Sequence, residues 1–161
     1  MSSAEIEIRP AGAADVELIL EFIRELARYE RLEHELIATP EDLREALFGT
    51  RRYAEVVFAC EAGEPVGFAL FFHNFSTFKG RPGIYLEDLF VKPHRRGRGV
   101  GRQLLRYLAQ LAVERRCTRL EWAVLEWNEP AIRFYRSLGA QPLADWRVFR
   151  LTGMALEQLG A

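Results

Sequence analysis

The sequence predicts an α/β fold of the α+β mixed-sheet kind, helices flanking a sheet, with one strand–helix–strand crossover near the middle. Three observations predict it. Short Val-, Ile- and Phe-rich runs bounded by Gly and Pro recur along the chain, two segments keep helical apolar spacing, and a Gly-rich turn joins the third of three consecutive strands to the second such segment. The chain has 161 residues, 49% of them hydrophobic, enough for one compact domain over residues 1–161 to bury a core without disulfides or metals.

The elements follow in order. Glu5 to Arg9 alternates Ile6 and Ile8 with charges before Pro10 and Gly12, which reads as a half-buried strand and a turn. Val16, Ile19, Leu20, Ile23, Leu26 and Ala27 mark a helix from about Asp15 to Arg28. Thr39-Pro40-Glu41-Asp42 supplies an N-cap, a first-turn Pro and an acid three residues after the cap, so a second helix runs to about Phe48. Tyr53 to Cys60 and Pro65 to Phe75 form a hairpin about Ala62-Gly63-Glu64-Pro65. Residues 75 to 83 read as a loop before a third apolar strand, Ile84 to Val91. After the Gly-rich turn come a long helix to about Arg115, a strand from Leu120 to Leu125, a helix from Pro130 to Leu138 capped by Asn128, and a last strand from Trp146 to Leu151.

Composition excludes several classes. The N-terminal residues lack the basic region and apolar run of a signal peptide, and no stretch approaches the roughly 20 apolar residues of a membrane span, so a soluble cytoplasmic protein is expected. Cys60 and Cys117 stand apart in apolar surroundings without His at ligand spacing, which reads as two buried thiols and no metal. Net charge is −1, from 22 basic and 23 acidic residues, which gives no global pull toward nucleic acid or an anionic membrane. The distribution is uneven: Lys92, Arg95, Arg96, Arg98, Arg102 and Arg106 crowd together, while acids recur at Glu21, Glu25, Glu30, Glu33 and Glu35. One end suits an anion and another a cation.

The turn with Gly97, Gly99 and Gly101, between an apolar strand and a helix starting near Gly99, gathers backbone N–H groups at a helix N-terminus, a natural phosphate site. Arg96, Arg98 and Arg102 suit phosphate oxygens at its rim. A Rossmann fingerprint or a Gly-Lys-Ser/Thr loop is not present.

Leu86 to Gly101, ending Arg96-Gly97-Arg98-Gly99-Val100-Gly101, resembles the Arg/Gln-x-x-Gly-x-Gly/Ala signature of the GNAT superfamily of N-acetyltransferases, and Asn128-Glu129-Pro130-Ala131-Ile132-Arg133-Phe134-Tyr135 resembles its second hallmark. Ile8-Arg9-Pro10-Ala11, residues 25–30, Tyr85-Leu86-Glu87-Asp88 and Glu126 to Pro130 are similar to the diamine (spermidine/spermine) and thialysine N-acetyltransferase subfamily, so that the resemblance covers nearly the whole chain. It implies the GNAT acyl-CoA N-acyltransferase fold, a mostly antiparallel twisted sheet, and transfer of acetyl from acetyl-CoA to a primary amine of a small molecule, with a homodimer as partner state. The loop Ser76-Thr77-Phe78-Lys79-Gly80-Arg81 departs from the polyamine enzymes, which tend to carry Asp and Trp there; two cations oppose a long polycation.

A free aliphatic amine has a pKa of about 10.4 and must lose a proton before attacking a thioester. The resemblance implies Glu87 as that base, with Asp88 beside it in the acceptor site; plain alternation across a strand is the other reading of the pair. It implies a bulged strand whose Leu89, Phe90 and Val91 main chain contacts the cofactor, the Leu89 and Val91 side chains being expected in the core, and phosphate contacts from Arg96, Gly97, Arg98, Gly99, Val100, Gly101 and Arg102. Tyr135 takes the place of the acid that protonates the departing thiolate, or else packs on the sheet. Asn128 is a cofactor contact or a helix cap. Tyr29, Glu30, Trp122 and Trp146 are acceptor-site candidates, against a solvated helix end for Glu30 and core or dimer interface for Trp146. Nucleic-acid binding by Arg95 to Arg106, a CoA-binding regulator without catalysis, and acetylation of a protein N-terminus or lysine are the alternatives.

Overall fold

The computed structural model describes residues 5–161; the sequence reading of residues 1–4 lies outside the described residues. The chain divides into two compact units, residues 1–123 and 124–161.

The first unit holds a five-stranded sheet in the order β1 (Ile6–Pro10), β2 (Glu55–Glu61), β3 (Glu64–Ser76), β4 (Arg81–Val91) and β5 (Leu120–Trp122). The first four pair antiparallel and β5 lies parallel to β4, because a helix, α3 (Val100–Glu114), carries the chain across between them. Helices α1 (Val16–Tyr29) and α2 (Pro40–Phe48) precede β2. The α2 start is the predicted one: Thr39 Oγ1 accepts from Asp42 N–H at 3.2 Å while the Asp42 carboxylate accepts from Thr39 N–H at 2.9 Å.

Every residue from Val56 to Cys60 is buried, so β2 is covered on both faces. One face is closed by α1 and α2: Ile19, Phe22 and Leu26 of α1 and Leu47 of α2 pack with Val56, Phe58, Cys60, Phe68 and Phe90. Phe22 sits at its centre, 5.7 Å from the Phe58 ring, 5.2 Å from Phe68 and 6.4 Å from Phe90. Buried Val57 and Ala59 alternate to the other face, which α3 covers with Val100, Leu104, Leu105 and Leu108. Gly67 on β3 sets how close α3 comes: a Cβ there would stand 3.1 Å from Phe90 O and 3.3 Å from both Leu104 Cδ1 and Val100 Cγ1.

Several boundaries depart from the sequence reading. The segment 75–83 is not a loop: β3 runs to Ser76 and β4 begins at Arg81, leaving four residues between them. Its polar and Gly/Pro composition hid the ladder, since Phe75 pairs Pro82 and Asn74 pairs Gly83. Pro10 ends β1 rather than breaking it, as an edge position allows. Cys60 is buried, but Cys117 is only partly so, just after α3.

The second unit holds α4 (Glu129–Ser137) and α5 (Gly153–Leu159). Asn128 caps α4, its Oδ1 accepting from Ala131 N–H at 3.4 Å. The expected strand from Trp146 to Leu151 does not form, and the strand expected to reach Leu125 stops at Trp122. The strand-forming run of Trp146, Val148, Phe149 and Leu151 is present, but a strand exists only against a partner ladder, and none pairs with this segment among the described residues.

Candidate active site

The glycine loop follows β4 directly. Gly97 and Gly99 take φ of 76° and 81°, in the left-handed region that disfavours a Cβ. Gly99 is the N-cap of α3, and Gln103 N–H bonds to Gly99 O at 3.0 Å. That first helical bond leaves the N–H groups of Val100, Gly101 and Arg102 at the open helix start, where the peptide dipoles favour an anion. The loop cations are not alike. Arg98 is exposed, Arg95 pairs with Glu61 at 2.9 Å, and the Arg96 side chain turns back: its Nε donates to Val91 O at 3.0 Å.

Beside the loop the sheet opens. The β5 ladder ends at Trp122, opposite Leu86, whereas β4 continues to Val91 paired with β3 alone. Lys92 N–H bonds back to Val66 O on the β3 side at 2.8 Å. Main-chain groups alternate along a strand, so those of Val91 and Leu89 face the other edge, which β5 has left. The Arg96 bond to Val91 O agrees with this direction. The Leu89 and Val91 side chains are half-buried rather than core as expected; it is Phe90 that enters the core.

Where the two strands part, β4 bulges. Leu70 faces Asp88 and Phe71 faces Leu86, so Glu87 is the extra residue on β4. The insertion sets Glu87 out to solvent and leaves Asp88 half-buried behind it. Glu30 caps the C-terminal end of α1, its N–H bonded to Leu26 O at 2.9 Å. These three carboxylates lie close enough to repel one another. Burial, then Glu87 and Glu30, push the Asp88 carboxyl up to about 7. Burial and Glu87 also raise Glu30. Such a group has affinity for a cation, because an ammonium relieves the repulsion as well as the desolvation.

Of the remaining candidates, Tyr29 ends α1 next to Glu30, and Trp122 sits half-buried at the last paired position of β5. In the second unit Tyr135 is half-buried on α4, its ring 5.6 Å from Phe134. Trp146 is exposed. The structure thus gathers Tyr29, Glu30, Glu87, Asp88 and the loop residues in one unit, with Trp122 beside the opening, and places Tyr135, Asn128 and Trp146 in the other. The resemblance implies a bulged strand, but Leu86-Glu87-Asp88-Leu89 carries no Gly or Pro from which the residues alone would place the extra residue at Glu87.

The fourth strand thus stands open beside a glycine loop and a trio of acids. The Acetyltransferase (GNAT) family model matches residues 19–140, and the chain belongs to that family. It is an N-acetyltransferase enzyme. The thialysine N-epsilon-acetyltransferase of Bos taurus is 40% identical over 97% of this chain and 98% of its own length. The L-ornithine N5-acetyltransferase of Arabidopsis thaliana is 33% identical over 94% of this chain and 86% of its own. Among solved structures, an integron cassette protein from the mobile metagenome of V. cholerae superposes with a TM-score of 0.80 at 31% identity, over 96% of this chain and 97% of that one.

Proposed function

We propose that the protein transfers the acetyl group of acetyl-CoA to the side-chain amine of a small thialysine- or ornithine-like amino acid, by direct attack. The observation that carries this reading is the trio Glu30, Glu87 and Asp88 at the point where β4 and β5 part. An amine arrives protonated and needs both a negative site and a proton acceptor. Glu87, exposed on the bulge, meets the ammonium, and the Glu87–Asp88 pair takes its proton; Asp88 at about 7 is matched to that exchange near neutrality. The loop 97–102 holds the pyrophosphate of acetyl-CoA, and the Leu89 and Val91 main chain pairs with its pantetheine arm. The neutral nitrogen attacks the thioester carbon, an oxyanion forms and collapses, the C–S bond breaks, and the nitrogen sheds its second proton to solvent as the amide forms. Tyr135 gives its proton to the departing thiolate.

The departure of residues 76–81 from the pattern of the polyamine enzymes supports an amino-acid acceptor over a long polycation. The names of the relatives in cattle and Arabidopsis support the same choice. A groove for a protein N-terminus or lysine is not favoured. Residues 1–161 act as one catalytic domain in this reading, in a cytoplasmic homodimer. Among the described residues no helix is long and apolar enough to cross a membrane.

The test is thiol release from acetyl-CoA with thialysine, ornithine, lysine, putrescine, spermidine and a peptide amine, with Tyr135→Phe alongside. Turnover of an amino-acid amine, lowered about 10²-fold or more in the variant, is the expected result. Turnover of the peptide alone, or undiminished turnover in Tyr135→Phe, overturns it.

A further inference from the structure

Arg96 stands first in the glycine loop, yet its side chain leaves the loop. Besides the 3.0 Å bond from Nε to Val91 O, its guanidinium lies 4.7 Å from the centre of the Tyr29 ring and 5.2 Å from that of Phe90. Tyr29 in turn meets Phe90 edge-on at 6.4 Å. The cation is thus laid over two aromatic faces while its Nε holds a carbonyl on the open edge of β4, a geometry lysine cannot reproduce. Three pieces meet at this one side chain: the cofactor loop, the strand edge beside the thioester position, and the last turn of α1. The next residue after Tyr29 is Glu30, at the helix cap.

We infer that Arg96 is a positioning residue for the amine acceptor: stacked on Tyr29 and Phe90 and bonded to Val91 O, it fixes the end of α1 so that Glu30 is held toward the β4 acids, and it does not serve as a phosphate ligand. This rests on the reading of the protein as an amine acetyltransferase. Arg98 and the N–H groups of 100–102 remain to receive the pyrophosphate, so the loop binds the cofactor without the Arg96 side chain. Arg96 acts on Glu30 through the Tyr29 ring; what raises the Glu30 carboxyl is its burial and the charge of Glu87.

The experiment measures CoA affinity by calorimetry and amine KM and kcat for Arg96→Met, Arg96→Lys, Tyr29→Leu and the double variant Arg96→Met/Tyr29→Leu, with circular dichroism verifying the fold of each. Expected is a CoA affinity within about twofold of the unaltered protein, with amine KM raised roughly five- to tenfold in Arg96→Met. Lysine restores part of the loss, because it keeps a cation over the ring but lacks the fork. The double variant loses less than the sum of the two single losses, since the Arg96–Tyr29 contact is removed by either substitution while the Val91 O and Phe90 contacts are lost only with Arg96. A fall in CoA affinity with amine KM unchanged makes Arg96 a phosphate ligand and overturns the inference, as does additivity of the two substitutions. Absence of amine turnover by the unaltered protein overturns the functional reading and this inference with it; turnover with the wrong pattern in the variants overturns the inference alone.

Discussion

Asp88 is the residue at which environment most changes chemistry. Its carboxyl, ordinarily near 3.8, is held at about 7 by burial and by Glu87 and Glu30. Below the ordinary value both folded and unfolded chains carry the proton and the site costs nothing. Between there and about 7 the unfolded chain ionises while the folded one does not, so the folded state loses stability as pH rises, and the whole cost stands above the folded value. Asp88→Asn removes the cost: the variant is expected to match the unaltered protein near about pH 4 and to exceed it by roughly 2–4 kcal/mol near about pH 8, read from urea midpoints. An equal gap at both pH values counts against the buried-acid account. The same substitution flattens the acidic limb of kcat/KM that ionisation of Asp88 produces. Alternation across the strand is one reading of this pair, but which acid turns inward is not legible from the residues, because it depends on the bulge that sets Glu87 out and Asp88 in.

At the scale of elements, the sheet face under α3 is set by a missing side chain. Gly67→Ala puts a methyl 3.1 Å from Phe90 O with Val100 and Leu104 behind it. Since backbone on one side and packed helix on the other leave it little room, the variant should lose about 1–3 kcal/mol. The helix that must shift is the one whose start forms the glycine loop proposed to hold CoA, so CoA affinity should fall together with the melting temperature. A variant that melts normally and binds CoA normally shows that α3 gives way without consequence. Most elements were legible because their signals are local: the Thr39 capping box, the 3.6-residue stripe of α1, the glycines before α3. Those that were missed depend on a partner or on length. The β3–β4 connection looked like a loop because Asn74, Ser76, Pro82 and Gly83 are poor strand formers, held in register by the long hairpin they close. Helix α5 spans seven residues, Gly153 to Leu159, and its helix formers were too few to outweigh a glycine start.

Over the whole molecule, charge is nearly balanced at −1 with an isoelectric point near 6.3. Solubility in low salt should therefore pass through a minimum close to that pH and recover on either side, measurable by light scattering across a pH series. A minimum far from it indicates many shifted groups besides Asp88. Legibility also divides by unit. In residues 1–123 most local signals agree with the contacts they make, whereas in 124–161 the apolar residues at 146–151 promised a strand that the described structure does not pair. The candidate site divides likewise, its acids and loop read from motifs that are contiguous in sequence, its Arg96–Tyr29 contact invisible because 67 positions separate the two residues.

The Glu87 bulge, finally, bears on what the chain can lose. Because one residue of β4 has no counterpart on β3, a codon lost at that place would leave Leu86 and Asp88 consecutive and the ladder unbroken. A lineage in which Glu87 was deleted should therefore keep the sheet, its melting temperature and its grip on CoA, while shedding acetyl transfer. The bulge is thus a single point at which gene deletion separates the architecture from its trade, and a protein so altered would persist as an inert carrier of the cofactor.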